Sequence, residues 1–186
     1  MSMNLSALSQ DFNRRDLKTI RRLARAKPVR TDLITGLFDR ATDQYYDENP
    51  DAEPFAWVDP TTTVNGRSLP GKLLPFTKTV SVVDDVIDGR NVAVNLRTRE
   101  AGTRVAIHVH EVGGSVAFIM GGKGKLKTWT EGLDDGLVSK GGFYYSPRNI
   151  PISAANLTNR GVRVLDILIT PVDVPQYTVL EPGWPG

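Results

Sequence analysis

The chain contains no cysteine. That absence excludes a disulfide framework, a thiolate zinc site, a cysteine-ligated iron–sulfur cluster and a cysteine nucleophile. Histidine is scarce too, with 2 among 186 residues. No apolar run approaches the roughly 20 residues that a membrane helix needs. Residues 1–30 lack the apolar stretch of a secretory signal. A cytoplasmic protein with no membrane partner is the expectation. What is present fits one folded domain of ordinary size: 40% hydrophobic and 24% charged residues.

Net charge is only +2, but its placement is uneven. Residues 1–30 hold Arg14, Arg15, Lys18, Arg21, Arg22, Arg25, Lys27 and Arg30 against Asp11 and Asp16. That segment is +6 and the remainder −4. Leu17, Ile20, Leu23 and Ala24 recur at helical spacing among these charges, which predicts an amphipathic helix over 11–26. A second helix is predicted from the N-cap Thr31 toward Tyr46, with Leu33, Ile34, Leu37, Phe38 and Ala41 as its apolar stripe. The basic face either meets water or a neighbouring subunit, or contacts an acidic partner; no DNA-binding unit follows it, so nucleic acid is not the expected partner. Pro50, Pro54, Pro60, Pro70 and Pro75 then mark an irregular connector. Residues 1–75 thus read as a helical and proline-rich extension.

From Phe76 onward, short Val-, Ile- and Thr-rich runs alternate with glycine-marked turns. Strands are predicted over 77–83, 91–98, 104–110, 115–120, 125–130, 142–146, 152–156, 162–170 and 176–180. Many short strands at even spacing predict an all-β sandwich or barrel over 76–186. The fold class is therefore mainly β, with an N-terminal helical extension.

Both histidines, His108 and His110, fall on one predicted strand. Strand residues i and i+2 share a face, with Cα atoms about 6–7 Å apart. Both imidazoles can turn to one ion or one substrate, or make ordinary hydrogen bonds in a polar cavity. By the same parity Arg104 shares their face, where its fork suits a carboxylate or phosphate. Asp166 interrupts the apolar run Val162–Thr170 and needs a partner: a histidine, an arginine or a metal. Arg97 alternates with Val94 and Leu96 on a neighbouring strand and is a candidate for the same cavity. Of Tyr144 and Tyr145 one points inward, and Tyr145 is taken as the acid–base candidate. Phe118 is read as core or cavity wall, and Ser115 as the hydroxyl nearest the histidines. Gly121-Gly122-Lys123-Gly124-Lys125 lacks P-loop spacing and reads as a hairpin turn.

Gly102-Thr-Arg-Val-Ala-Ile-His108-Val-His110, then Ser115 and Gly122, resembles the first motif of the cupin superfamily. Gly141, Pro147, Asn149, Ile152 and Asn156 follow the spacing of the second. The resemblance covers residues 102–156 and, with flanking strands, most of 76–181. It implies a double-stranded β-helix barrel with an internal ligand cavity, and a homodimer. The departures bear on chemistry. Ser115 stands where the family has its metal-binding glutamate, Ile152 where it has its third histidine, and Asn149 where it has a glycine. Only His108 and His110 remain as metal ligands, fewer than the three protein ligands of a usual catalytic site. Glu111 or Asp166 would have to complete a set for iron, zinc, manganese or nickel.

Two functions follow. In the first, the barrel acts on a small polar or anionic molecule. Its catalytic candidates are His108, His110, Tyr145, Arg104 and Asp166, and its substrate wall Arg97, Ser115, Ile152 and Phe118. With a divalent metal on His108 and His110 the chemistry is oxygenation or metal-assisted lysis; without one, a histidine is the base of an isomerase, lyase or cyclase. In the second, the barrel is a non-catalytic sensor or binding module whose basic helix contacts a partner.

Overall fold

The computed structural model describes residues 59–87, 89–110 and 115–186. Both predicted helices and Glu111 lie outside these residues. Two mainly antiparallel sheets face each other. The first has the order β11-β8-β13-β5-β4: Phe143–Ser146, Ser115–Gly122, Val162–Pro171, Arg90–Arg99 and Thr77–Ile87. The second has the order β10-β9-β12-β6-β3: Gly136–Val138, Leu126–Thr130, Ile152–Asn156, Thr103–Arg104 and Lys72–Leu73. β7 (His108–Val109) pairs with β12 and with β14 (Thr178–Val179) on that second sheet. From β5 onward the chain passes repeatedly between the two sheets, which is the double-stranded β-helix expected from the sequence. Among the described residues no helix is long and apolar enough to cross a membrane.

Alternation decides what each face carries. On β5, β8, β11 and β13, residues Val92, Val94, Val116, Phe118, Phe143, Tyr145, Leu165, Ile167 and Ile169 form one buried apolar cluster. The alternate residues Arg97, Arg99, Ser115, Tyr144, Ser146, Asp166 and Leu168 face the cavity between the sheets. A one-residue slip of any of these strands would exchange the two sets, so the pattern fixes the register.

The sheets also begin earlier than expected. Val64, Asn65, Gly66 and Arg67 make a tight hairpin between β1 (Thr63–Val64) and β2 (Arg67–Ser68). Asn65 and Gly66 both have positive φ, 51° and 70°, as such a two-residue turn requires. Asn65 donates to the Thr130 and Leu133 carbonyls and accepts from Gly132 N. Val64 packs with Ile107, Val109, Trp129 and Leu180. β3 runs parallel to β6. Residues 61–75 are thus woven into the barrel rather than serving only as a connector.

Candidate functional site

The strand predicted over 104–110 is broken. β6 ends at Arg104 and β7 starts at His108, with a bend between them. The bend resets the alternation, so Val105 lines the cavity and Arg104 does not. Arg104 instead forms a buried bidentate ion pair with Glu181, in which Nη2 lies 2.5 Å from Oε1 and Nη1 contacts Oε2. The same carboxylate accepts from Ile107 N at 3.0 Å, while Leu180 N donates to the Ile107 carbonyl at 2.9 Å. Ser153 Oγ satisfies the Val105 carbonyl at 2.7 Å. The bend's polar groups are therefore paired although strand pairing lapses there. Arg104, read from the sequence as catalytic, is a clamp beneath His108.

His108 and His110 do share one cavity. Their ring centroids lie 5.0 Å apart, nearly perpendicular, with Tyr177 edge-on to both. His108 Nδ1 is 2.8 Å from the Ala106 carbonyl and His110 Nδ1 is 2.8 Å from the Gln176 carbonyl. A carbonyl only accepts, so each Nδ1 carries the proton of a neutral ring and each Nε2 holds a lone pair. His110 Nε2 accepts from Ser115 Oγ at 3.0 Å. His108 Nε2 has no hydrogen-bond partner among the described residues. Burial pushes the imidazolium pKa of His108 down to about 4, with Arg99 adding to the depression. His110, only 3% exposed and beside His108, falls to about 3. Both rings are neutral at pH 7.

The turn after β11 holds the pair in place. His110 bridges Arg148, and Asn149 N donates to the His110 carbonyl at 2.9 Å. Asn149 has φ 52°. Glycine or asparagine suits that conformation, which explains how Asn149 replaces the expected glycine without loss of the turn.

The cavity has a volume of about 270 Å³. Its histidine end also holds Ser115, Ile152 and Tyr177; elsewhere it is lined by Arg97, Arg99, Tyr144 and Asp166, with Phe76 and Trp184. Ile152 lies opposite His108 across β12 and β7. Arg97 Nη1 approaches Asp166 Oδ2 at 3.3 Å. Burial raises the Asp166 pKa, opposed by Arg97 and Arg99. Burial also raises Tyr144, which keeps its hydroxyl protonated, and lowers Arg99 to about 10, still charged at neutral pH.

Of the residues singled out from the sequence, His108, His110, Arg97, Ser115, Ile152 and Asp166 meet in this cavity. Arg104, Tyr145 and Phe118 do not. Tyr145 opposes Val116 and Phe118 opposes Phe143, inside the apolar cluster on the other face of the sheet. Tyr144 is the inward tyrosine. Arg99 was missed, although it continues the alternation of Asn95 and Arg97 by one more step.

Among the described residues His108 and His110 are the metal donors of the cavity, and Glu111 lies outside them. Among the described residues no group of three His, Asp or Glu side chains could hold an ion. Asp166 is engaged by Arg97, and Ile152 supplies no donor. Two imidazoles alone are one ligand below the usual minimum.

No family model matches the chain, and no curated protein matches it. Solved structures do. A conserved protein with a double-stranded beta-helix domain from Klebsiella pneumoniae subsp. pneumoniae MGH 78578 is 14% identical, over 64% of this chain and 89% of that one, with a TM-score of 0.45. A cupin-like protein from Thermotoga maritima msb8 is 21% identical over 60% and 86% of the two chains, with a TM-score of 0.45. The DMSP lyase DddQ from Ruegeria pomeroyi DSS-3 is 14% identical over 60% of this chain, again with a TM-score of 0.45; the chain spans 53% of that protein. The first two are described as a double-stranded beta-helix protein and a cupin-like protein, and a double-stranded β-helix is the fold that the strand pairing itself defines here.

Proposed function

We propose that the barrel binds a small organic molecule in its cavity and that His108 acts on it as a general base, in a lyase, isomerase or cyclase reaction. The observation that carries this reading is the state of His108. Its Nδ1 is tied to the Ala106 carbonyl, and among the described residues its unprotonated Nε2 has no hydrogen-bond partner in the cavity. A neutral imidazole is the form that accepts a proton, and its fixed orientation removes the entropy of finding the right pose. His110 is differently placed, because Ser115 occupies its Nε2 lone pair. It would steady the ring beside it and hold Ser115. Tyr144, protonated and in the same cavity, is the candidate to return a proton to the leaving or rearranged group.

Proton abstraction from carbon leaves a direct trace. Small hydroxy and keto acids incubated with the protein in D2O should exchange deuterium or break down, as read by NMR. The His108→Gln variant should bind and melt like the parent but lose exchange. A non-catalytic binding module is the second reading, favoured by the apolar Ile152 at a position where the cupin pattern has a ligand. It predicts ligand-dependent thermal stabilisation with no exchange for any compound that binds.

A further inference from the structure

The wall of the cavity formed by β5 contains an imbalance that the base chemistry does not use. Arg99 is 1% exposed, and its guanidinium lies 3.9 Å from the Phe76 ring centroid. Nη1 donates to the Leu74 carbonyl. Nη2 is buried with no hydrogen-bond partner among the described residues. Two residues earlier on the same face, Arg97 gives Nη1 to Asp166, and its buried Nε is likewise unpartnered. A buried guanidinium N–H left unpaired is costly, and a pair of them in one cavity points to a missing acceptor.

Charge gives the same answer. Arg97 and Arg99 contribute two positive charges, Asp166 offsets at most one of them because burial raises its pKa, and His108 and His110 are neutral at pH 7. Among the described residues at least one positive charge is left over in the cavity, where an unbalanced charge is poorly tolerated. A monoanion with two acceptor atoms cancels it. Val105, Ala154, Leu168 and Trp184 line the same cavity and suit a short apolar body.

We infer that Arg97 and Arg99 form a carboxylate subsite, which holds the single carboxylate of a small monocarboxylic acid while its remaining carbons extend into the cavity. Each arginine would supply a charged donor, as carboxylate recognition favours. Asp166 is the positioning residue, holding Arg97 by its Nη1. Inorganic phosphate, a mixture of mono- and dianion near pH 7, has no apolar body to fill the rest of the cavity. The inference rests on the reading of this cavity as a small-molecule site and adds the class of molecule.

The test uses the full chain and four probes: propionate, benzoate, propionamide and inorganic phosphate. Binding is read by calorimetry and by the shift in melting temperature. Propionate or benzoate should bind and stabilise, and the uncharged amide should not. Arg97→Gln should weaken carboxylate binding at least tenfold. Arg99→Lys should do the same, and Arg97→Gln stands alone if the Arg99→Lys chain fails to fold. His108→Gln should leave carboxylate binding intact, so loss of exchange without loss of binding separates the two proposals. Equal binding of propionate and propionamide would overturn the subsite. So would tighter binding of phosphate, unchanged affinity in Arg97→Gln, or no binding of either carboxylate.

Discussion

Acidification from pH 7 to 5 should cost this protein a large part of its stability, and two side chains should account for nearly all of it. In the unfolded chain a histidine titrates near 6.5. In the fold, burial holds His108 at about 4 and His110 at about 3. Both folded values lie below the unfolded one, so between them the unfolded chain binds protons that the folded chain refuses. Stability is full above 6.5 and falls as pH drops toward the folded values. At pH 5 each imidazole contributes about 2 kcal/mol of loss, or about 4 kcal/mol together, with His108 giving the smaller share because its edge meets the cavity. Native stabilities are roughly 5–15 kcal/mol, so the effect is measurable. Two carboxylates also shift on folding. Depression of Glu181 by Arg104 adds to acid loss below its ordinary range, and elevation of Asp166 works the other way. Urea unfolding followed by tryptophan fluorescence at both pH values is the assay. The double variant His108→Gln, His110→Gln contains no histidine, and its stability should change by under about 1 kcal/mol across the same window. An equal loss in parent and variant would refute the assignment. A pH-independent parent would show that the rings accept protons in place.

Glu181→Gln leaves Arg104 buried against a neutral partner and frees Ile107 N, and should cost about 3–5 kcal/mol in denaturant unfolding; Arg104→Met with Glu181→Leu should recover much of that. Ile152→His places a third imidazole opposite His108 across β12 and β7. Elemental analysis after dialysis should find near-stoichiometric zinc in that variant and not in the parent; stoichiometric metal in the parent would show that two histidines recruit further ligands. Asn149→Gly should be close to neutral, whereas Asn149→Ala forces a β-carbon without asparagine's local hydrogen bonding into φ 52° and should cost about 1–2 kcal/mol in a melting assay.

The barrel was legible because strand alternation is strict where it matters. β5, β8 and β13 each carry Val, Ile or Leu on one parity and polar or small residues on much of the other, and this names the faces before any coordinates. The same rule separates Ser115 from Phe118, although both are read from the sequence as substrate wall. They differ by three positions on one strand, so one cavity cannot receive both. Tyr144 and Tyr145 were harder, since either side chain is acceptable in an apolar core or a polar cavity. Only the register of β11 on β8, with Tyr144 opposite Ala117 and Tyr145 opposite Val116, decides between them. Arg104 failed for a different reason. Parity holds along an unbroken strand, and the bend before His108 depends on Glu181, 77 residues away in sequence. The Asn65-Gly66 hairpin was readable from its dipeptide alone but was overshadowed by the prolines around it.

The motif positions divide by role once the contacts are known. Gly102 N donates to the Asn156 carbonyl at 2.7 Å, and Asn156 Nδ2 donates to the Arg99 carbonyl at 3.0 Å. A Cβ on Gly122 would fall 2.3 Å from the Gly161 carbonyl oxygen, so that position admits only glycine. These residues keep the family pattern, and they tie strand ends together. Asn156 also anchors the backbone of Arg99, so a motif residue with no access to ligand fixes the end of the arginine wall. The positions that depart, Ser115 and Ile152, both line the cavity. Ser115 turns one imidazole into a hydrogen-bonded support, and Ile152 removes a donor beside the other. Asn149, the third departure, keeps the positive φ of its turn, so the frame stays intact.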